Sequence, residues 1–252
     1  MTAHLEPLRA SVARLRDIVE SLDDAQLEQQ AYPTEWRIAD VLSHVGSGAV
    51  IMSRRVEDGL AGRSMPEEFA ASVWEEWNAK SPHGKADAAV AADRELVARL
   101  EAVGEQERTA FSTSFGPLTV GFDDLIAFRL NEHGMHTWDV EVSLDSAAGL
   151  HPEQIALIID NLGLIARYTA KPTGSLRTVA VRTTEPARDF VVDLTADSVT
   201  FSAEPADGQH QLVLPAEAFA RLVYGRLDPD HTPPFDGDAD SLDELRKVFP
   251  GP

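Results

Sequence analysis

The chain contains no cysteine among its 252 residues. That excludes disulfide bonds, cysteine-ligated metal sites and a protein thiol nucleophile, so any sulfur chemistry here needs a thiol supplied as a small molecule. Basic residues are also scarce, with 22 Lys and Arg against 42 Asp and Glu and a formal net charge of -20. A surface of that sign repels nucleic-acid phosphate and anionic headgroups, so neither nucleic acid nor membrane is expected as a partner. Long apolar runs are missing as well. No stretch reaches the length of a membrane span, and the opening Met1-Thr-Ala-His-Leu-Glu-Pro lacks a basic segment followed by an apolar one. The chain therefore reads as cytoplasmic.

Against these absences stands a hydrophobic content of 43%, ample for a packed core over one large or two modest domains. Apolar residues at 5, 8, 12, 15, 18 and 19 recur at helical spacing, and Ser21-Leu-Asp-Asp reads as a helix ending followed by a fresh cap. A second stripe, through Ile38, Val41, Leu42, Val45, Ala49 and Met52, predicts a helix to about Gly59 with His44 among its apolar positions. Shorter and longer helices are predicted over 66–77 and 85–103, a loop or small hairpin over 111–120 around Gly116-Pro117, then a helix over 122–144. His151-Pro152 opens one more, to about Thr169.

After Lys171-Pro172-Thr-Gly174 the period changes. Runs at 175–184, 189–194 and 198–202 read as strands, with a fourth at 211–214, a helix over 215–225 and a last short helix over 242–248. The fold class is thus α+β in two domains, 1–171 helical and 172–252 a small α/β unit. The Pro-rich Asp228-Pro-Asp-His-Thr-Pro-Pro is a loop.

Chemistry concentrates on His44 and on the Glu-x-x-x-His pair Glu132 and His136, which share a helix face one turn apart. Two imidazoles and a carboxylate are a donor set that holds a catalytic zinc with its fourth position open. Singly, His44 reads as an ordinary core or surface histidine, and Glu132 with His136 as a plain hydrogen-bonded surface pair. Together, three ligands from two long helices match the way bundles build metal sites in their interiors. Asp40 and Asp139 each lie within a turn of a histidine and are candidates to fix its tautomer. His133 is rotated about 100° from Glu132 and is not counted as a ligand. An open metal position can activate water or lower the pKa of a bound thiol. Water activation is the weaker reading, because Glu132 heads the pair instead of sitting inside a His-Glu-x-x-His motif as a general base.

Three stretches carry a resemblance: Glu35-Trp-Arg-Ile-Ala-Asp-Val-Leu-Ser-His44-Val-Gly, Arg129-Leu-Asn-Glu132-His-Gly-Met-His136-Thr-Trp-Asp139, and Gly225-Arg226-Leu-Asp-Pro with Phe249-Pro-Gly. Together they resemble the mycothiol-dependent maleylpyruvate isomerase family over nearly the whole chain. The resemblance implies a DinB-like four-helix metal-binding bundle followed by a sterol-carrier-like α/β domain. It also implies zinc held by His44, Glu132 and His136, and mycothiol as thiol cofactor. Bound as thiolate, the thiol would add to the double bond of a conjugated keto acid, allow rotation about the resulting single bond, and leave again. An arginine of the second domain, Arg226 or Arg221, is expected to hold the substrate's carboxylate by a bidentate contact.

The resulting expectation is a monomeric zinc- and mycothiol-dependent enzyme acting on an electrophilic small molecule, either an isomerase or a thiol S-transferase. Nickel or iron in place of zinc stays open. The alternatives are a non-catalytic small-molecule-binding protein and a zinc-dependent hydrolase.

Overall fold

Four long helices carry the amino-terminal part of the chain. The computed structural model describes residues 3–116, 118–204 and 210–251; Pro117, within the loop or small hairpin expected over 111–120, lies outside them. The chain divides into two compact units, Met1–Ala148 and Gly149–Pro252.

The first unit contains α1 (Leu5–Val19), α2 (Asp24–Leu27), α3 (Ile38–Leu60), α4 (Glu67–Asn78), α5 (Pro82–Ala102), α6 (Glu105–Ala110), β1 (Thr113–Phe115), β2 (Leu118–Val120) and α7 (Phe122–Leu144). Helix α1 packs on α5 and α7, and α3 packs on the same two helices, which closes a ring of four. Leu8 and Leu15 of α1, Leu42 of α3, Leu96 and Leu100 of α5 and Leu125 of α7 fill the interior.

Local chemistry starts and ends these helices. The cap expected after the first helix is Asp23, whose carboxylate accepts the Gln26 N–H while the Gln26 side chain accepts the Asp23 N–H. Ser81 accepts the Gly84 N–H with Pro82 in the first turn, so α5 starts three residues before the position its apolar pattern suggests. The Ala-rich composition of α5 reflects a close approach. A Cβ on Gly46 of α3 would stand 2.7 Å from the Ala89 Cα and 2.2 Å from the Trp77 ring, so no side chain fits there.

The second unit contains α8 (Pro152–Ile158), a 3-10 turn at Ile159–Asn161, α9 (Leu162–Thr169), β3 (Arg177–Thr184), β4 (Arg188–Leu194), β5 (Val199–Ser202), β6 (Leu212–Pro215), α10 (Ala216–Val223), a 3-10 turn at Pro229–His231, β7 (Asp236–Gly237) and α11 (Ala239–Val248). The sheet runs in the order β5-β4-β3-β6-β7, with β3 and β6 parallel and its other neighbours antiparallel. Phe190 of β4, Phe201 of β5 and Phe219 of α10 pack together with ring centroids 4.9 to 6.0 Å apart.

The switch from helix to strand near residue 172 is not where the compact units part. Helices α8 and α9 pack on α10, and α9 also on β5, so they belong with the sheet and the division falls at 148/149. The helix expected over 152–169 is interrupted by its 3-10 turn, and the short α6 and β7 have too few residues to leave a periodic signal. Among the described residues, no helix is long and apolar enough to cross a membrane.

Candidate metal centre

Helix α3 carries His44 and α7 carries Glu132 and His136, and the packing of α3 on α7 brings the three together. The His44 Nε2 stands 3.5 Å from Glu132 Oε2, and the His136 Nε2 stands 3.6 Å from the same oxygen. One ligand atom from each residue lies within 4.8 Å of the others. Donors held at zinc–ligand distances in a tetrahedron are about 3.4 Å apart, close to the 3.5 and 3.6 Å between each imidazole and the carboxylate oxygen. The carboxylate and the first imidazole remain open to solvent, with side chains 51% and 41% exposed, whereas the His136 side chain is 10% exposed.

Protonation follows from the partners. The His136 Nδ1 donates to Asp139 Oδ2 at 2.8 Å, which leaves the Nε2 lone pair directed at the site. Burial would lower the His136 pKa, but Asp139 and Glu132 outweigh it, and the imidazole is raised above its ordinary value. Burial would likewise raise the Glu132 carboxyl, yet bonds and charge from His136 and His44 hold it well below the usual carboxylate range. The site therefore offers a negative oxygen beside an imidazole that binds a metal through Nε2 in its neutral form.

The two aspartates near the histidines have different occupations. Asp139, fully buried, orients His136. Asp40 turns away from His44; it accepts the Arg37 N–H at the start of α3 and pairs with Lys85 at 2.7 Å. His133 is completely buried on another side of α7, among Ser11, Asp93 and Thr137.

Trp36 enters the site from the loop before α3. Its ring lies 5.1 Å from that of His44 and 6.0 Å from that of His136, while the two imidazoles are 4.5 Å apart. The loop is folded on itself by Gln30, whose amide donates to the carbonyls of Pro33 and Trp36. Tyr32 packs against Trp138 in a tilted arrangement, with ring centroids 4.8 Å apart. The sequence places Trp36 only at a helix start; an aromatic eight residues before a ligand histidine has no spacing rule that would mark it.

In the second unit, Arg221 and Arg226 are both buried. Arg221 forms a two-point bridge to Glu217 at 2.7 and 3.0 Å and also donates to the carbonyl of His231. Arg226 donates to the carbonyl of Tyr224. The Gly225-Arg226 turn is pressed against Gly251: both glycines have positive φ, and a Cβ on Gly225 would come 2.1 Å from the Gly251 Cα. That contact brings the two short tail motifs together.

A family model described as the mycothiol maleylpyruvate isomerase N-terminal domain matches residues 8–141, over half the chain and the span that holds all three clustered residues. The chain belongs to this family. No curated protein matches it. Two solved structures do, a mycothiol-dependent maleylpyruvate isomerase and a histidine-to-alanine mutant of the mycothiol-dependent maleylpyruvate isomerase, at 13% and 12% identity. Each match has a TM-score of 0.66 and covers 88% of both chains. At that identity the likeness speaks for the fold: the mixed helical and sheet architecture of the mycothiol maleylpyruvate isomerases extends over most of this chain.

Proposed function

We propose that the chain is a zinc- and mycothiol-dependent isomerase of a small conjugated keto acid, of the maleylpyruvate type, acting as a cytoplasmic monomer. The observation that carries this is the convergence of two imidazole Nε2 atoms on one carboxylate oxygen, at 3.5 and 3.6 Å, in a cysteine-free member of a mycothiol family. His44, Glu132 and His136 would hold the ion, which when bound lowers the pKa of a thiol so that thiolate persists at neutral pH.

The chain's own groups divide the remaining work. Asp139 keeps the His136 proton on Nδ1, so the Nε2 lone pair stays free. Glu132 supplies the negative charge, and Trp36 walls the two imidazoles on one side. For a substrate carboxylate the candidates are the two buried arginines of the second unit, Arg226 and Arg221. A thiol S-transferase would use the same three ligands and differ only in whether the thiol leaves again.

The test is an assay of maleylpyruvate loss on purified protein, with and without mycothiol and with zinc present or chelated. Isomerisation that requires both supports the proposal. Turnover without thiol, or protein that takes up no stoichiometric divalent metal, overturns it. A stable thioether product in place of the trans isomer identifies the transferase.

A further inference from the structure

One turn before Glu132 on α7, Arg129 heads a second polar cluster, buried where the first is open. Arg129, Asp93 and His133 are 4%, 1% and 0% exposed. The Arg129 Nη2 donates to Asp93 Oδ1 at 2.6 Å and to the Val45 carbonyl at 2.9 Å, which uses both hydrogens of that nitrogen. The other carboxylate oxygen of Asp93 stands 3.0 Å from His133 Nε2, and the His133 Nδ1 meets Ser11 at 2.7 Å and Thr137 at 3.2 Å. An ionised carboxylate only accepts, so the His133 proton is on Nε2. All four long helices are joined: α1 through Ser11, α3 through the Val45 carbonyl, α5 through Asp93, and α7 through Arg129, His133 and Thr137.

The bond to Val45 is the informative one. Val45 follows His44 directly, and Arg129 precedes Glu132 by three residues, so a single guanidinium pins α3 to α7 beside the ligands that each contributes. Gly48 of α3 leaves room for this approach, since a Cβ there would stand 3.0 Å from Arg129 Nη1. Net stability is a poor reason to bury such a cluster, because well-packed apolar residues commonly do as well as a buried ion pair. Fixing one helix against another is a better one.

We infer that the Arg129–Asp93 pair is a positioning device for the metal centre, holding His44 of α3 in register with Glu132 and His136 of α7. The inference rests on the proposed metal site and adds residues that touch neither ion nor substrate.

The experiment compares wild type, Arg129→Lys, and the double variant Asp93→Asn/Arg129→Met, which removes both charges together. Zinc affinity is read by competition with a chromophoric chelator, and the unfolding midpoint of the metal-free protein is read in parallel. We expect the double variant to unfold near the wild-type midpoint while binding zinc about tenfold or more weakly, the scale on which supporting residues act on metal affinity. Arg129→Lys should recover part of the loss, and it carries the comparison alone if the double variant does not fold. A folded variant that binds zinc as tightly as wild type overturns the inference. Wild-type protein that takes up no zinc instead overturns the proposed function. In that event a His44→Cys/His136→Cys pair, the sole thiols in the chain, reads helix apposition without metal. Short-span thiol cross-linking that slows when Arg129 is changed supports positioning, and equal rates overturn it.

Discussion

Glu132 and His133 are consecutive residues of one helix and belong to opposite kinds of site. Glu132 faces His44 and His136, with half of its side chain exposed and, among the described residues, no lysine or arginine paired with it. His133 faces inward to Asp93, whose charge is matched by Arg129 at 2.6 Å. Both clusters hold histidine and carboxylate, so residue type does not separate them. What separates them is the guanidinium: a cluster with its own cation needs no metal, whereas one made only of lone-pair donors is incomplete without an external positive charge. About 100° of helix rotation decides which cluster a residue joins.

The largest effect is expected from the open cluster. His136→Ala and His44→Ala should each abolish stoichiometric metal and thiol-dependent turnover while leaving a folded bundle, as checked by elemental analysis beside circular dichroism. Retained metal in either variant would erase the distinction between the two clusters.

Asp93→Ala attacks the closed cluster and should act the other way round, on folding first. It leaves the Arg129 guanidinium buried without its carboxylate, a change that typically costs about 3–5 kcal/mol, measurable by denaturant unfolding. The pH dependence has a definite sign. Burial would raise the Asp93 carboxyl, but His133 and Arg129 hold it below its ordinary value of 3.8. Its contribution to stability is therefore complete above that ordinary value and is lost as pH falls through the lower, folded one. Asp93→Asn should flatten the acid limb of the unfolding free energy below about pH 4 and leave its neutral limb parallel to wild type.

A smaller loss should follow Asp139→Asn. The amide can still accept the His136 Nδ1 proton but carries no charge, so metal affinity should fall about 10- to 100-fold with the fold intact. An unchanged affinity in chelator competition would show that His136 needs only a hydrogen bond.

The pattern of what the sequence reveals follows the same division. Helices over 5–19, 38–60 and 122–144 are legible because their apolar residues repeat along several turns, and the Glu132–His136 spacing is legible because it lies within one of them. The pairing of His44 with that motif is a tertiary fact, suggested by how bundles build metal sites and by family resemblance. Nothing in the spacing of Arg129, Asp93 and Ser11, which come from three helices, marks them as one cluster. The parting of the units at 148/149 is hidden for a related reason: α8 and α9 look like further bundle helices until their partners are known, and those partners lie in α10 and β5.

Asp40 supplies the mildest and sharpest contrast. By position it is as close to His44 as Asp139 is to His136, one turn away on the same helix, and sequence alone gives the two aspartates similar roles. The structure gives Asp40 the start of α3 and Lys85 instead. Burial would raise its carboxyl, but Lys85 and the Arg37 N–H lower it, so it is charged and fully used as a cap and ion-pair partner. Asp40→Ala should therefore cost about 1 kcal/mol of stability, the size of a lost cap, and leave metal affinity at the wild-type value. Paired with Asp139→Asn, it separates an aspartate that supports a helix from one that supports a ligand. A fall in metal affinity from Asp40→Ala alone would mean that the start of α3 is itself part of what holds His44 in place.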